Sequence, residues 1–147
     1  MSLADPEKKM SKSDDNENAT VRILDPKDVI IRKFKRAVTD SGSEIRFADD
    51  KPGISNLMSI YGAFTGKTME EIEREFSGMG YGDFKLAVGE ACADALAPVQ
   101  AEFARLAADK AYLEDVMAKG AENAARDAAR TMSKVRRKLG FNELKRR

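Results

Sequence analysis

One long amphipathic stretch decides the fold of this chain: DFKLAVGEACADALAPVQAEFARLAAD, which runs from Asp83 to Asp109. Its apolar residues recur with the spacing of one helical face, at Phe84, Val88, Ala91, Ala95, Leu96, Val99, Phe103 and Leu106. The spacing predicts a single long helix. Pro98 predicts a kink within that helix, because proline removes one backbone hydrogen bond.

Four further helices are predicted around this one, at about residues 26–38, 54–65, 68–76 and 110–139. The predicted N-terminal caps are Asp25, Thr68 and Asp109, and the predicted capping box joins Thr68 to Glu71. The helices are predicted to stop at Gly66 and Gly140. The segment Val21–Leu24 is β-prone but too short to build a sheet. The expected architecture is an all-α bundle of about five helices with an extended N-terminal arm.

Three of these helices carry an apolar face that is expected to be buried, and in the second helix it comprises Leu57, Met58, Ile60, Tyr61 and Phe64. In the first helix the face comprises Val29, Ile30, Phe34, Ala37 and Val38. In the last helix it comprises Tyr112, Leu113, Val116, Met117, Ala121, Ala124, Ala128, Met132, Val135 and Leu139.

The composition narrows the class of protein. The 147 residues are 42% apolar and 35% charged, which is typical of a soluble, largely helical domain. With one cysteine and no histidine, Ser-His-Asp and Cys-His catalysis are excluded, and we expect neither an intrachain disulfide nor a protein-bound metal. Cys92 is predicted to be a small buried hydrophobe. No apolar run approaches membrane-spanning length, so a cytoplasmic protein that does not contact membranes is expected.

A polar stretch near the start of the chain has a different character: Lys9-Met10-Ser11-Lys12-Ser13-Asp14-Asp15-Asn16. It places two lysines three positions apart among hydroxyl residues, with Met10 as its only bulky apolar residue. Ammonium groups, hydroxyls and the backbone N–H groups of a small-residue loop are ligands of phosphate. The stretch is therefore predicted to bind a polyanion, and a solvated charged loop is the alternative for the pentapeptide alone.

The pentapeptide resembles the Lys-Met-Ser-Lys-Ser loop of class I aminoacyl-tRNA synthetases at all five positions, Lys9 to Ser13. The segment before it, Met1–Lys8, is similar to the one that leads into this loop in bacterial tryptophanyl-tRNA synthetases. Similarity to that family continues through Asp14–Asn16, Asn18–Thr20, Arg36–Ser41, Lys51–Leu57, Gly80–Lys85 and Ala97–Gln100. The resemblance thus covers nearly the whole chain, in the family's order.

The resemblance implies the C-terminal part of a tryptophan–tRNA ligase, an enzyme that activates tryptophan with ATP and Mg²⁺ and transfers it to tRNA. Residues 1–24 would be the tail of the catalytic domain, and residues 25–147 the helical anticodon-binding domain. In the family the loop closes over ATP, so the implied ATP-binding residues are Lys9, Met10, Ser11, Lys12 and Ser13, with Lys9 and Lys12 catalytic. Met10 would either anchor the loop or lie near the adenine. The implied partners are ATP, tryptophan tRNA and an absent N-terminal catalytic domain, in a homodimeric full-length enzyme.

The chain departs from the family pattern because it has no histidine, whereas a class I enzyme needs a His-x-Gly-His-like motif. The nucleotide-binding βαβ fold and the tryptophan pocket are not found in it either. We therefore expect this chain alone to be inactive. Two alternatives remain: a fragment of a tyrosyl-tRNA synthetase, which has the same loop, and a free-standing helical RNA-binding or adaptor module.

Basic residues form two clusters that could contact the phosphates of tRNA. The net charge of the chain is only +1, so such contacts must come from local patches. One cluster lies on the first helix and comprises Arg32, Lys33, Lys35 and Arg36. The other lies near the end of the chain and comprises Lys134, Arg136, Arg137, Lys138, Lys145, Arg146 and Arg147. A solvated helix end is the alternative for the second cluster, since cations suit a helix C-terminus.

Overall fold

The structure, a computed structural model, describes residues 1–141 and contains five α-helices in that range. They are α1 (Lys27–Lys35), α2 (Pro52–Thr65), α3 (Met69–Glu75), α4 (Tyr81–Ala108) and α5 (Lys110–Lys138), preceded by a 3-10 turn at Glu17–Ala19. Residues 1–141 contain no strand. The predicted all-α class with five helices, two of them long, is confirmed. None of the described helices is both long enough and apolar enough to cross a membrane.

The helix ends follow the predicted local chemistry at three places. Thr68 accepts a hydrogen bond from the Glu71 N–H at 3.3 Å, and the Glu71 carboxylate accepts one from the Thr68 N–H at 2.8 Å, which completes the capping box. Gly66 ends α2 in the left-handed conformation, with φ 75°. Asp109 caps α5 by accepting a hydrogen bond from the Tyr112 N–H at 3.0 Å.

The start of α1 differs from the prediction. Pro26 occupies the cap position and no side chain caps the helix, so the assignment of Asp25 as the cap is wrong. Its carboxylate instead accepts hydrogen bonds from the Arg22 N–H at 2.9 Å and the Lys33 ammonium at 2.6 Å. The helix also ends three residues early, at Lys35, which leaves Val38 exposed rather than on the buried face.

Pro98 lies inside α4, so one helix and not two spans this stretch, as predicted. The β-prone segment 21–24 forms a turn, because no second strand within the described residues offers it a partner. Cys92 is a free, buried thiol, and burial raises its pKa to about 11. It therefore packs as a small hydrophobe, as predicted, and is a poor nucleophile.

The chain divides into two compact units, Met1–Ala101 and the part from Glu102 onward. The predicted boundary at residue 24 lies within the first unit and stays a prediction. The core of the first unit draws on the arm before α1 and on helices α1 to α4. Its largest fully buried side chains are Leu3, Ile30, Phe34, Ile54, Leu57, Met58, Ile72, Phe84 and Val88.

Two features fix the packing of this core. Tyr61, Phe76 and Phe84 meet edge to face, with ring centroids 4.8 to 6.1 Å apart. Gly89 of α4 lies against α1, where a Cβ would sit 3.0 Å from the Cα of Ile31. The missing side chain lets the two helix backbones approach closely.

The second unit consists of the end of α4 and helix α5. Along its 29 residues α5 has no buried residue. Its apolar side chains are exposed, from Leu113 at 38% to Met117 at 67%.

Candidate phosphate-binding loop and basic surfaces

The loop that carries the two lysines is closed at its base by backbone hydrogen bonds. The Ser2 N–H donates to the Lys8 carbonyl at 2.7 Å, and the Leu3 N–H donates to the Ala19 carbonyl at 2.9 Å. Leu3 and Ala19 are buried in the core of the first unit. The loop of residues 9–18 therefore begins and ends at one fixed place on the core.

Within the loop the structure brings the two serines together. The Ser13 N–H donates to the Ser11 hydroxyl at 3.3 Å, and the two hydroxyl oxygens lie 3.0 Å apart. The Thr20 hydroxyl donates to the Ser11 carbonyl at 3.1 Å and connects this turn to the segment in which the loop returns to the core. Both serines are exposed, so their hydroxyls form one polar group open to solvent.

The two loop lysines differ from the lysine just before them. Lys9 and Lys12 are exposed, and neither forms an ion pair with any residue in the range 1–141. The Lys8 ammonium, in contrast, lies 2.8 Å from the Asp5 carboxylate. Lys9 and Lys12 are therefore the cations of this segment that are free for an anionic ligand.

Met10 has a different position from its neighbours. It is half-buried and packs against the hydrophobic core of the first unit. It also lines an apolar cavity of about 340 Å³ together with Val21, Phe34, Ile60 and Cys92. Of the two roles open to it, anchoring the loop is therefore the one with direct support in its packing.

The return of the loop is shaped by contacts that sequence reasoning missed. The Asp14 carboxylate accepts from the Asn16 N–H at 2.8 Å, and the Asn16 side chain accepts from the Asn18 N–H at 3.0 Å. These two Asx turns lead into the 3-10 turn at Glu17–Ala19. The spacing of Asp14, Asn16 and Asn18, each two residues from the next, was the signal that could have indicated them.

The basic cluster on α1 is smaller than the sequence indicates. Arg32, Lys35 and Arg36 are exposed, and none of them has an ion pair in the described part of the chain. Lys33 is buried, with 6% of its side chain exposed, and its ammonium donates to the Thr20 carbonyl at 2.8 Å and to Asp25 at 2.6 Å. Among the predicted tRNA-binding residues of α1, Lys33 thus differs from the other three in that its ammonium is occupied within the fold.

The pair formed by Asp25 and Lys33 is a structural one. Burial by itself would raise the pKa of the Asp25 carboxyl, but hydrogen bonds from Lys33 and from the Arg22 N–H outweigh it, so that the pKa is lowered. Asp25 is thus ionised and paired at neutral pH. Because Lys33 also holds the Thr20 carbonyl, the pair connects the end of the loop segment to α1.

The second basic cluster lies at the end of α5. Lys134, Arg136, Arg137 and Lys138 are exposed in the last turns of the helix. The Arg136 carbonyl accepts a hydrogen bond from the Phe141 N–H at 2.9 Å, and the Arg137 carbonyl accepts one from the Gly140 N–H at 3.3 Å, which closes the helix end. The other predicted members, Lys145, Arg146 and Arg147, lie outside the described residues.

Comparison with known proteins assigns the family. A family model described as "tRNA synthetases class I (W and Y)" matches residues 1–97, which hold the loop and most of the core of the first unit. The chain belongs to this family. Its resemblance to the tryptophan branch is confirmed as well, since the curated relatives named below are all tryptophan–tRNA ligases.

Three relatives show the extent of the match. The tryptophan–tRNA ligase of Clostridium tetani is 46% identical over 141 residues, which are 96% of this chain and 42% of that protein. The ligase of Clostridium acetobutylicum is 47% identical over the same shares of both chains. The solved tryptophanyl-tRNA synthetase of Mycoplasma pneumoniae matches 97% of this chain and 45% of its own, with a TM-score of 0.71 at 30% identity. This chain thus spans less than half the length of these relatives.

The described residues contain no group of three or more His, Cys, Asp or Glu side chains placed to hold a metal ion. The only cation that the family resemblance implies is the Mg²⁺ that accompanies ATP as part of the substrate. The side chains that the loop offers, ammonium and hydroxyl groups, suit the phosphates of that substrate rather than its metal.

Proposed function

We propose that this chain supplies two parts of a cytoplasmic tryptophan–tRNA ligase: the loop that binds the phosphates of ATP, and the helices that bind tRNA. The observation that carries this proposal is the arrangement of the loop at residues 9–18. Its base is held to the core by backbone hydrogen bonds, while Lys9 and Lys12 are exposed and form no ion pair within the described residues. The division between the two parts would fall near residue 24, as the family resemblance implies.

The loop's chemistry fits the activation step of such an enzyme. When the tryptophan carboxylate attacks the α-phosphorus of ATP, negative charge moves onto the departing pyrophosphate. An ammonium group that meets this charge stabilises the transition state more than the ground state and so raises the rate. Lys9 and Lys12 would provide two such groups, and the adjacent hydroxyls of Ser11 and Ser13 would donate hydrogen bonds to phosphate oxygens.

The positions of the other loop residues support a loop that moves as a unit. Met10 packs on the core and would act as the anchor about which the exposed residues close over the nucleotide. The base of the loop would stay in place during this closure. It is held by the backbone hydrogen bonds between residues 2 and 8 and between residues 3 and 19, and by the hydrogen bond from Thr20 to Ser11. The lysines can thus change position without disturbing the helices.

For tRNA, the proposed contacts are Arg32, Lys35 and Arg36 on α1 and Arg136, Arg137 and Lys138 on α5. All six side chains are exposed. Cations of this kind bind phosphates, which gives affinity and position but little base selectivity. Affinity should therefore fall steeply as the salt concentration rises. Replacing Arg136, Arg137 and Lys138 together by alanine should weaken binding and reduce the salt dependence.

The loop assignment can be tested in a chimeric enzyme. In it, this chain replaces the 141 matching residues of the Clostridium tetani ligase, with which it is 46% identical. We expect tryptophan-dependent exchange between ATP and pyrophosphate in the chimera. Lys12→Ala should lower the exchange rate by roughly two to three powers of ten, the usual cost of one lost charge-stabilising donor. The KM for tryptophan should change little, because the lysine contacts phosphate.

The matched control is Lys8→Ala, which removes an equal charge four residues away but from a lysine already paired with Asp5. This control should retain nearly full activity. Equal losses in both variants would show a general effect of positive charge and overturn the assignment. A Lys12→Ala variant with a normal exchange rate and poor tryptophan binding would overturn it as well.

A further inference from the structure

The segment that follows the loop, residues 20–25, is held in place by side chains of α1 and α4. The Lys33 ammonium on α1 donates to the Thr20 carbonyl at 2.8 Å and to the Asp25 carboxylate at 2.6 Å. The Gln100 side-chain amide on α4 donates to the carbonyls of Ile23 at 2.7 Å and of Asp25 at 2.9 Å. The segment in which the loop returns to the core therefore has a fixed position on two helices.

The hydrogen bond from Lys33 fixes Thr20 in particular. The Lys33 side chain is only 6% exposed, and a buried ammonium group is costly unless its N–H groups find acceptors. A charge-assisted hydrogen bond of this kind is stronger than a neutral one. Threonine is also β-branched, which restricts the rotation of its side chain. The Thr20 hydroxyl is therefore presented to the loop in few orientations.

This hydroxyl reaches the turn that carries the proposed phosphate ligands. It donates to the Ser11 carbonyl at 3.1 Å, and the same carbonyl accepts from the Asp14 N–H at 3.2 Å. The second of these bonds closes a turn of residues 11–14, in which Lys12 and Ser13 lie. Thr20 thus connects a buried group of the fold to an exposed turn.

We propose that Thr20 is a positioning residue for the loop at residues 9–18: Lys33 fixes its carbonyl, and its hydroxyl fixes the turn of residues 11–14. This role rests on the proposed function, because it gives Thr20 a part in the binding of ATP phosphates by that loop. Thr20 itself does not contact the nucleotide. It restricts the conformations of the turn, so that the Lys12 ammonium and the serine hydroxyls face one ligand and less conformational entropy is lost on binding.

The exposure of the turn argues against a role in the fold alone. Residues 11–14 are all exposed, so holding them adds no buried apolar surface to the core. The net contribution of one hydrogen bond at an exposed site is small, because water replaces the lost partner. Loss of the Thr20 hydroxyl should therefore affect the loop and ATP binding rather than the unfolding of the chain.

The substitution that tests the proposal is Thr20→Val, which keeps the branched shape and the carbonyl but removes the hydroxyl. In the chimeric Clostridium tetani enzyme it should lower kcat/KM for ATP by roughly three- to tenfold, the effect of one net hydrogen bond. The KM for tryptophan should stay the same, because the turn faces phosphate. Thr20→Ser keeps a hydroxyl donor and should restore most of the lost rate.

A second measurement uses the purified full chain and needs no ATP. Trypsin cleaves after exposed lysines, and the bond between Lys12 and Ser13 lies within the turn. The rate of cleavage at this bond follows the fraction of time for which the turn is open. Thr20→Val should raise this rate, whereas Thr20→Ser should leave it near that of the wild type. The midpoint of urea unfolding should be the same in all three proteins.

The matched control is Thr65→Val at the end of α2. It also removes a hydroxyl that donates to a carbonyl, that of Tyr61 at 2.8 Å, and its site is exposed as well. This variant should leave both the exchange reaction and the cleavage at Lys12 unchanged.

Lys12→Ala separates a failure of this role from a failure of the proposed function. If Lys12→Ala lowers the exchange rate while Thr20→Val changes only one of the two measurements or neither, the loop assignment stands and the positioning role is wrong. Equal losses in Thr20→Val and Thr20→Ser, or a lowered urea midpoint in Thr20→Val, would overturn the role as well. If Lys12→Ala leaves exchange unchanged, the proposed function fails, and the positioning role fails with it.

Discussion

The first compact unit and helix α5 have similar sequence patterns but opposite burial. Apolar residues recur at helical spacing in both, and in the first unit they form a core in which Phe34, Phe84 and Val88 are completely covered. In α5 the same kind of row has no buried member. Periodicity therefore indicates which face of a helix is apolar, but not how much of that face is buried.

The segments between the helices help to hold the first unit together. In the first unit the segments between helices are held by their own contacts. One example is the Tyr81 hydroxyl, which donates to the Asp40 carboxylate at 2.9 Å and accepts from the Lys51 ammonium at 3.0 Å. Such contacts bring α1, α2 and α4 together and fix their faces toward one another. Between α4 and α5 there is only Asp109, which caps the second helix.

The largest expected effect is on the free energy of unfolding, when a buried aromatic side chain of the first unit is removed. Phe84→Ala removes a fully covered ring that meets Tyr61 and Phe76, and should cost about 3–5 kcal/mol in the free energy of unfolding. Leu113→Ala in α5, where the side chain is 38% exposed, should cost under about 1 kcal/mol in dilute solution. Urea denaturation of both variants at low protein concentration measures the contrast. Similar losses would show that the α5 face is covered within the single chain.

The next effect distinguishes the two kinds of lysine on α1. Lys33→Ala leaves the Asp25 carboxylate without its main partner in a nearly buried site, and should cost about 3 kcal/mol. Lys35→Ala, two residues away and exposed, should change stability by less than about 0.5 kcal/mol. Thermal and urea unfolding check both values. Equal and small changes in stability in both variants would show that Lys33 is exposed like the other cations of α1.

Helix caps offer an intermediate test. Thr68→Ala removes the capping box of α3, which contributes the buried Ile72 to the core, and should lower overall stability by about 1 kcal/mol. Asp109→Ala removes a comparable cap from α5, and its effect should appear as lost helix content rather than as a lower unfolding midpoint. Circular dichroism and urea unfolding of the two variants separate these results. A lowered midpoint in Asp109→Ala would mean that α5 contributes to the core.

The smallest expected effect is in the response to acid. The pKa of Asp25 is lower in the folded chain than in the unfolded one, so its pairing stabilises the fold above about pH 4. That contribution is lost as the pH falls through the folded pKa. Wild type should therefore lose more stability than Asp25→Asn between neutral pH and pH 3. Parallel losses in the two proteins would show that the pair does not contribute to acid sensitivity.

The loop illustrates how far the sequence alone reaches toward a function. The stretch from Lys9 to Ser13 was enough to predict phosphate binding and to indicate the family. Phosphate binding depends on which chemical groups are present, and these are the ammonium and hydroxyl groups of the lysines and serines. The closure of its base by hydrogen bonds between residues 2 and 8 and between 3 and 19 could not be predicted, since backbone contacts across a loop leave no residue signature. Two roles were open to Met10, and its packing on the core supports the anchoring role.

The sequence by itself determined the all-α class, the capping box at Thr68, the stop at Gly66 and the continuity of α4 through Pro98. Each of these depends on interactions between residues a few positions apart. Only the tertiary structure decided that Asp25 pairs with Lys33 instead of capping α1, and that Lys33 is buried among exposed cations. These outcomes depend on which distant groups meet. A local pattern does not contain that information, because burial is a property of the surroundings and not of the residue.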